Sequence, residues 1–451
     1  MSTGKTVLLQ NTLEEAEGFE GTGEGMNKEN GKASIINRDF IMVVIGQIIS
    51  LFGNAIIRFA LPLYLLQITG SAALFGKISA IALIPAVLMC PIGGILADRV
   101  NKRNIMVALD FTTAALSAIG FLTIGRFDAV VVIMITMLIL YGIQAAYQPS
   151  VTASIPLLVP EKEIMTGNAI INMVNAVSSM IGPAIGGIVF AFAGVRPILF
   201  LAVFCFTVSA VMEIFIRIPF EKSEVKGNIV SIGINDMKQG IRFMIKDKPE
   251  VIKACLILAC INLGLSACII IGTPVIVTGK LGFDAALGSR MYGYMGIAEG
   301  AGSLLGGILA GVFAKKAKTS MIPLLIFGCG AALIPIILAL TIPISGMVSY
   351  WIIFISVFIM MIEASFVSIQ MISYLQILTP QNIMGKVISC ATCICMCASP
   401  IGQVIFGAAF EYCSHFEYVI TASFIFTTIV AICSIKTFRQ VGSVMSQADA
   451  A

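Results

Sequence analysis

The sequence predicts an all-α membrane protein in which twelve transmembrane helices form two pseudo-symmetric six-helix bundles. Three observations support this fold class. Of the 451 residues, 58% are hydrophobic and only 12% are charged, whereas soluble domains carry about 25% charged residues. Apolar runs of spanning length recur along most of the chain, and short motifs repeat in the same order in its two halves. The runs are too long for the strands of a membrane barrel, and helices satisfy every backbone group within lipid.

The polar segment 1–38 carries clustered glutamates among glycines, which indicates a disordered cytoplasmic tail and no signal peptide. A spanning helix needs about 20 apolar residues. On this criterion the spans are predicted at 40–66, 72–97, 104–125, 128–150, 165–191, 197–218, 251–277, 288–313, 320–343, 347–376, 384–410 and 417–438.

Four segments organise these spans. Residues 39–218 form the N-terminal bundle and residues 251–438 the C-terminal bundle. Residues 219–250 form a cytoplasmic linker in which apolar side chains near Ile234 to Ile245 follow helical spacing, as in an amphipathic helix on the membrane surface. Residues 439–451 form a second cytoplasmic tail.

Basic residues orient the spans, because positive charge concentrates on the cytoplasmic side. The segments after the second, sixth and eighth spans are rich in lysine and arginine, and the intervening segments on the opposite side carry few. The asymmetry predicts a multi-pass protein of the cell (inner) membrane with both termini in the cytoplasm.

Three pairs of motifs indicate a duplicated six-helix unit. Residues 93–97 read Gly-Gly-Ile-Leu-Ala, and residues 306–310 repeat them. Pro160 precedes the fifth span as Pro380 precedes the eleventh, and Gly182-Pro183 corresponds to Ser399-Pro400. Two such bundles suit alternating access, in which substrate binds near the midplane and the halves rock around it.

The loop after the second span reads Gly94-Ile95-Leu96-Ala97-Asp98-Arg99-Val100-Asn101-Lys102-Arg103. It resembles the loop signature of the major facilitator superfamily, and the resemblance implies that fold. Glycine lets helices approach closely, and Asp98 suits the N-terminus of a neighbouring helix. With Arg99, Lys102 and Arg103 it would form a cytoplasmic gate. Asn101 replaces the usual glycine, and asparagine tolerates a left-handed turn. The alternative is a simple topology signal.

Residues 182–187 of the fifth span read Gly-Pro-Ala-Ile-Gly-Gly, and they resemble a signature of exporters in this superfamily. Proline bends the helix, and Gly182, Gly186 and Gly187 allow close packing around Pro183. The alternative is an ordinary packing face of small residues. Stretches such as Ala60-Leu61-Pro62 and Gln148-Pro149 resemble the branch of macrolide-efflux and siderophore-export proteins.

Charges inside the spans are the strongest candidates for substrate binding or coupling, because such groups are costly in lipid and face the interior. They are Arg58, Asp110, Glu299 and Glu363. A structural ion pair with the loop cations is the favoured role of Asp110, and proton coupling is the alternative. For Glu299, structural and coupling roles are equally open, and Glu363 is favoured as a carboxylate that binds a proton or a cationic substrate.

Polar residues in the first, fourth and tenth spans complete the candidate cavity, since these helices line it in the superfamily that the chain resembles. They are Gln47, Asn54, Gln144, Tyr147, Gln370 and Tyr374. Interhelical hydrogen bonding is the alternative role for each of them.

The chain is not expected to be an enzyme. It has a single histidine and no phosphate-binding Gly-x-x-x-x-Gly-Lys-Ser/Thr loop. Cys390, Cys393, Cys395 and Cys397 suggest small-residue packing and no metal site. We therefore expect a monomeric, proton-coupled exporter of amphiphilic small molecules such as macrolide-type antibiotics, in contact with membrane lipid and with no cofactor or nucleic acid. The alternatives are export of an endogenous siderophore or lipid and a non-transporting receptor or assembly factor.

Overall fold

The computed structural model describes residues 37–160, 163–219, 229–313, 319–380 and 383–448. Within these ranges, the backbone but not the side chains is described at 90–99, 165, 229–232 and 441–448. The predicted N-terminal tail therefore lies outside the described residues up to position 36, as does the linker at 220–228.

Six helices form the N-terminal half. They are α1 (Arg38–Thr69), α2 (Ala72–Arg99), α3 (Lys102–Thr123), α4 (Ala129–Leu158), α5 (Ile164–Ala193) and α6 (Val195–Ile214). Local sequence sets several boundaries. The side chain of Asn37 accepts a hydrogen bond from the backbone of Phe40 at the start of α1, and that of Asp128 caps α4 in the same way. Gly70 ends α1 with a positive φ of 62°, which glycine adopts without strain.

A connector helix and six further helices follow. The connector is α7 (Ile229–Arg242), and the spans are α8 (Pro249–Lys280), α9 (Ala285–Val312), α10 (Thr319–Thr341), α11 (Gly346–Leu378), α12 (Met384–Tyr412) and α13 (Phe416–Ala448). The predicted tail after residue 438 is thus helical as far as Ala448. Within the described ranges, 12 helices are long and apolar enough to cross a membrane. This confirms the predicted fold class.

The helices pack in two halves with the same arrangement of helix contacts. In the first half α1 packs on α5 and α6, α2 on α4, and α3 on α6; in the second half α8 packs on α12 and α13, α9 on α11, and α10 on α13. A pair of hydrogen bonds shows the same correspondence. The Ser209 hydroxyl donates to the carbonyl of Gly46, and the Ser423 hydroxyl donates to the carbonyl of Gly264, both over 3.1 Å.

Two crossings join the halves, α5 with α9 and α2 with α12. They are equivalent under the pseudo-two-fold symmetry. Large apolar side chains such as Leu88, Phe192 and Trp351 are exposed on the outside of the bundle. Such a surface suits lipid, which needs no polar covering. We call the end of the bundle that carries the start of α1, the end of α13 and the helix α7 the connector end, and the opposite end the loop end.

The connector α7 packs against α12 and α2. The Lys386 ammonium of α12 forms a 2.8 Å ion pair with Asp236 and donates a 2.8 Å hydrogen bond to Gln239. A helix therefore occupies the segment for which the sequence predicts an amphipathic one. Its apolar face, which includes Met237 and Ile241, joins a core cluster of the C-terminal half.

Candidate functional site

A cavity of about 400 Å³ lies between the two halves. The N-terminal half contributes residues of α1, α4 and α5, and the C-terminal half contributes residues of α9. The lining residues are Leu51, Asn54, Ala55, Arg58, Phe59, Tyr141, Gln144, Asn175, Ser178, Ser179, Pro183, Tyr292, Gly296 and Glu299. The structure therefore brings together four of the predicted substrate or coupling residues, Asn54, Arg58, Gln144 and Glu299, from three different helices, and adds Pro183 of the predicted exporter motif.

One wall of the cavity carries a cation on an aromatic support. The Arg58 guanidinium lies 4.1 Å from the centre of the Tyr141 ring, a cation–π contact between α1 and α4. Beside it, the Asn54 amide nitrogen donates to the Gln144 side-chain oxygen. The Asn54 oxygen has no partner within the described chain. This wall therefore offers a positive charge and a free acceptor.

The facing wall carries the carboxyl group of Glu299. Among the described residues, neither Glu299 nor Arg58 has an ion-pair partner within 4.0 Å. The two groups line one cavity without neutralising each other. Because unpaired charge within the membrane is costly, this arrangement suits a site that receives a charged or polar ligand.

The loop end of the cavity is closed by aromatic stacking and helix contact. The rings of Phe59 and Tyr292 stack across the halves with centroids 4.8 Å apart. Beyond them, the Gln67 amide donates a 2.8 Å hydrogen bond to the Ser289 hydroxyl. Both contacts join α1 to α9, so the halves touch on the loop side of the cavity.

The glycine–proline motif of α5 forms the centre of this closure. Gly182 packs against Ala55 of α1, and Pro183 contacts Gly296 of α9. A β-carbon on Gly187 would lie 2.8 Å from the Gly293 α-carbon, so the two backbones are in direct contact. The motif thus allows α5 to touch both α1 and α9. Its association with export stays a prediction.

Three candidates of α11 lie outside this cavity. The Glu363 side chain lies against Gly328 and Cys329 of α10, and one of its oxygens has no partner. Tyr374 is fully buried in the core of the C-terminal half, where its hydroxyl also has no partner, and Gln370 has an unpartnered side-chain oxygen. The structure does not bring Glu363 together with Arg58 and Glu299.

Three candidates of the N-terminal half form a separate buried network. The Gln47 amide donates to the Tyr147 hydroxyl over 2.6 Å, and this hydroxyl donates to Glu213 over 2.7 Å. Asp110 accepts a 3.0 Å hydrogen bond from Ser50. No described cation lies within 4.0 Å of Asp110, so among the described side chains the expected ion pair is absent. Asp110 is buried within the N-terminal half.

Sequence reasoning missed Glu213 in this network. The available signal was a carboxylate inside the predicted sixth span, close to its end, where such a residue is easily interpreted as belonging to the membrane interface. In the structure Glu213 is completely buried.

The predicted gate is described only in part. The side chains of Gly94, Asp98 and Arg99 lie outside the described residues. Arg103 donates to the neighbouring Asn104 side chain, and no described contact joins Lys102 or Arg103 to the other half. The expectation of a left-handed turn at Asn101 is wrong. Its φ is −57°, because its side chain caps α3 by accepting from the backbone of Arg103.

The C-terminal half contains an apolar pocket of about 380 Å³ between α8, α10, α11 and α12. Its walls include Met371, Leu375, Cys255 and Cys395. The thiol of Cys395 donates to the backbone carbonyl of Cys255. Within the described residues, no group of three or more His, Cys, Asp or Glu side chains could hold a metal ion.

The sequence model of the Major Facilitator Superfamily matches residues 43–403. The chain belongs to this superfamily. Among its relatives, macrolide efflux protein A of Streptococcus pyogenes is 25% identical over 380 residues, which cover 81% of this chain and 88% of the relative. The macrolide efflux protein A of Enterococcus faecalis is 24% identical over 261 residues, covering 55% of this chain and 75% of that protein.

Solved transporters of the superfamily share the fold. A bacterial homologue of the lysosomal transporter Spinster, solved in an inward-facing conformation, superposes with a TM-score of 0.67 at 14% identity and covers 89% of this chain and 97% of its own. A D-xylose–proton symporter superposes with a TM-score of 0.65 at 14% identity, covering 87% and 95%. At such low identity the likeness supports the twelve-helix fold alone. Family and fold together identify a multi-pass membrane transporter.

Proposed function

We propose that this superfamily member is a proton-coupled exporter of amphiphilic small molecules, with macrolide-type antibiotics as the leading substrate class. The observation that carries the proposal is the cavity between the halves. It holds Arg58 and Glu299 unpaired and is closed toward the loop end by the contact of α5 with α9. The relatives named as macrolide efflux proteins support the direction and the substrate class.

The cavity has the chemistry that an amphiphile needs. Its aromatic members, Phe59, Tyr141 and Tyr292, offer flat apolar surface, and Asn54 and Glu299 offer acceptors. A cationic head group would meet the Glu299 carboxylate, and the aromatic rings would cover its apolar body. Small-molecule sites commonly combine an apolar lining with a few polar groups that orient the ligand.

Alternating access follows from the same contacts. If both termini are cytoplasmic, as the basic residues predict, the loop end faces outward and these contacts close the cavity toward the outside. Export then requires α5 and α9 to separate at the loop end while the halves close at the connector end. Binding of a proton to Glu299 would remove the charge that holds a cationic substrate, and it would thereby drive release.

The test is drug susceptibility combined with transport in proteoliposomes. Expression should raise the inhibitory concentration of macrolides in a sensitive host. In proteoliposomes under an imposed pH gradient, a labelled macrolide should accumulate with the wild type and lose its gradient dependence in Glu299→Gln. The matched control is Asp247→Asn, because this carboxylate is exposed at the connector end and its loss should leave transport unchanged.

Two outcomes would contradict the proposal. Full gradient-dependent transport by both Glu299→Gln and Glu363→Gln would show that neither candidate couples protons. Failure to move any amphiphile in a panel that includes macrolides, siderophores and labelled lipids would refute export of these classes, and movement of only a siderophore or lipid would replace the substrate class.

A further inference from the structure

The structure contains a second cluster of ionisable groups, buried inside the N-terminal half and separate from the cavity. We propose that Asp110 and Glu213 form a proton-binding pair in which a proton is held between α3 and α6. Neither residue lines the cavity between the halves. The inference rests on the proposed function in one respect, since a proton site contributes to transport only if transport is proton-coupled.

Burial of the pair is nearly complete. Asp110 retains 2% of its accessible surface and Glu213 retains none. Both carboxyl groups face α1 within one turn of each other: a β-carbon on Gly46 would lie 3.8 Å from a Glu213 carboxyl oxygen, and Ser50, four residues further on, donates to Asp110. Tyr147 also faces the pair from α4 and is 2% exposed. The titratable groups of the cluster are therefore Asp110, Glu213 and Tyr147, on three different helices.

The hydrogen bonds of the cluster leave acceptors unused. Ser50 donates to one oxygen of Asp110 and Tyr147 donates to one oxygen of Glu213. The second oxygen of each carboxyl group has no partner, and neither has the side-chain oxygen of Gln47, which is also fully buried and bound to Tyr147 through its amide. Buried polar atoms are almost always hydrogen-bonded. Three unpartnered oxygens in one cluster show a shortage of hydrogen-bond donors. A proton on a carboxyl oxygen would supply such a donor.

Electrostatics leads to the same conclusion. Among the described side chains no cation lies within 4.0 Å of either carboxylate, and two like charges without compensation are very costly in a buried site. Glu213 also lies in the last turn of α6, where the helix dipole presents its negative end and disfavours an anion. A proton on the pair removes one charge and supplies an O–H donor for an unpartnered oxygen.

The contact of α6 with α1 does not require the carboxyl group of Glu213. Ser209 and Ser423 make equivalent hydrogen bonds to α1 and α8 in the two halves. The residue one turn beyond Ser209 is Glu213, and the residue one turn beyond Ser423 is Thr427. The Thr427 hydroxyl donates to the carbonyl of Ser423 in its own helix. The second half therefore builds the same helix contact without an acid at this position, so Glu213 is a specific feature of the first half.

The pair lies near the connector end of the bundle. Glu213 lies one residue before the end of α6 at the connector end, and Arg217 beyond it is exposed. On loading, a proton from water at this end forms an O–H bond with a Glu213 or Asp110 oxygen. On release, that bond breaks and the proton returns to water, leaving the carboxylate with the electron pair. Because α3 and α6 pack on each other and α6 on α1, the charge state of the pair biases how tightly these helices pack.

The experiment is infrared difference spectroscopy of the purified full-length protein in lipid, titrated with pH in the absence of any substrate. Each protonated carboxylic acid contributes its own carbonyl stretch, and Glu299 of the cavity contributes one as well. One titrating band of the wild type should be lost in Glu213→Gln and lost or shifted in Asp110→Asn. The same band should persist in the matched control Glu299→Gln, which removes only the contribution of the cavity carboxyl group. If Glu213→Gln does not fold, Glu213→Thr, which copies the residue of the second half, takes its place.

Two results would overturn the inference. One is a set of titrating bands from which neither Glu213→Gln nor Asp110→Asn removes or shifts any member. The other is a band that responds to sodium ions at constant pH, because the pair would then be a cation site. Since no substrate is present, these outcomes do not depend on transport. Loss of gradient-driven efflux in Glu299→Gln tests the proposed function, whereas loss of the band in Glu213→Gln tests this site.

Discussion

The contact between α5 and α9 can be tested by adding one methyl group at Gly293. An ideal β-carbon on this residue would lie 2.8 Å from the Pro183 carbonyl oxygen and 2.9 Å from the Gly187 α-carbon. Ordinary contacts begin near 3.4 Å. Gly293→Ala therefore forces the two helices apart by about half an ångström or costs strain, since both neighbours are backbone atoms that cannot rotate away.

The magnitude follows from two opposing effects. Overpacking a close contact costs about 1–3 kcal/mol. Replacing glycine by alanine within a helix contributes about 0.5–1 kcal/mol in the opposite direction. Gly311→Ala isolates the second effect, because it lies on the same helix and nothing lies within 4 Å of its added β-carbon. The difference between the two variants should therefore be about 1–3 kcal/mol against the closed loop end, a factor of about 5–150 in the conformational equilibrium.

The assay is hydrogen–deuterium exchange measured by mass spectrometry on the purified protein in lipid. Segments of α5 and α9 at the loop end should exchange faster in Gly293→Ala than in Gly311→Ala, because opening exposes amides that the contact protects. Segments of α10 and α13, which pack on each other, should not change. Equal exchange at the loop end in the two variants would refute the argument that backbone contact holds this side closed.

Three further predictions follow from single contacts. Tyr141→Leu removes the aromatic face beneath Arg58 and should cost about 0.5–2 kcal/mol of substrate affinity, measurable as a raised KM; an unchanged KM would exclude the pair from binding. Tyr350→Phe deletes the hydrogen bond that its hydroxyl donates to a carbonyl of α9 and should lower the free energy of unfolding by about 1 kcal/mol, read from thermal melting; a gain in stability would contradict this. Lys386→Met breaks the half-exposed ion pair with Asp236 and should change stability by less than about 1 kcal/mol, with an effect that high salt reduces in the wild type.

The spans were predictable because membrane insertion depends on a local property. Each run of apolar residues must satisfy its backbone internally and tolerate lipid, so length and composition suffice to locate helices such as α8 and α11. The close packing of α5 was equally predictable from its glycines, since a helix without β-carbons at successive turns can approach another closely. The helix that packs against these glycines could not be predicted. Nothing in the motif itself identifies Gly293 of α9 as the residue that Gly187 meets.

The candidate site was predictable by residue type and only partly by position. Charges within apolar spans are so costly that Arg58 and Glu299 stood out without a structure. The rotation of each helix could not be inferred, because a soluble helix reveals its inner face by a stripe of apolar residues, whereas in lipid both faces are apolar. Glu363 was for this reason grouped with the cavity although it faces α10. For Asp110 the sequence suggested the loop cations, and only the structure showed that Ser50 of α1 donates to it.

The sequence by itself therefore determined that this protein spans a lipid bilayer, how many helices cross it, that the two halves are duplicated and which superfamily it belongs to. All of these depend on the order of residues along the chain. Only the tertiary structure decided which charges share a space. Arg58 and Glu299 line one cavity between the halves, and Asp110 and Glu213 are buried within one half, because helix packing brings together residues that are distant in sequence. The cost of burying charge marked such residues as candidates, and only packing showed which of them share a space.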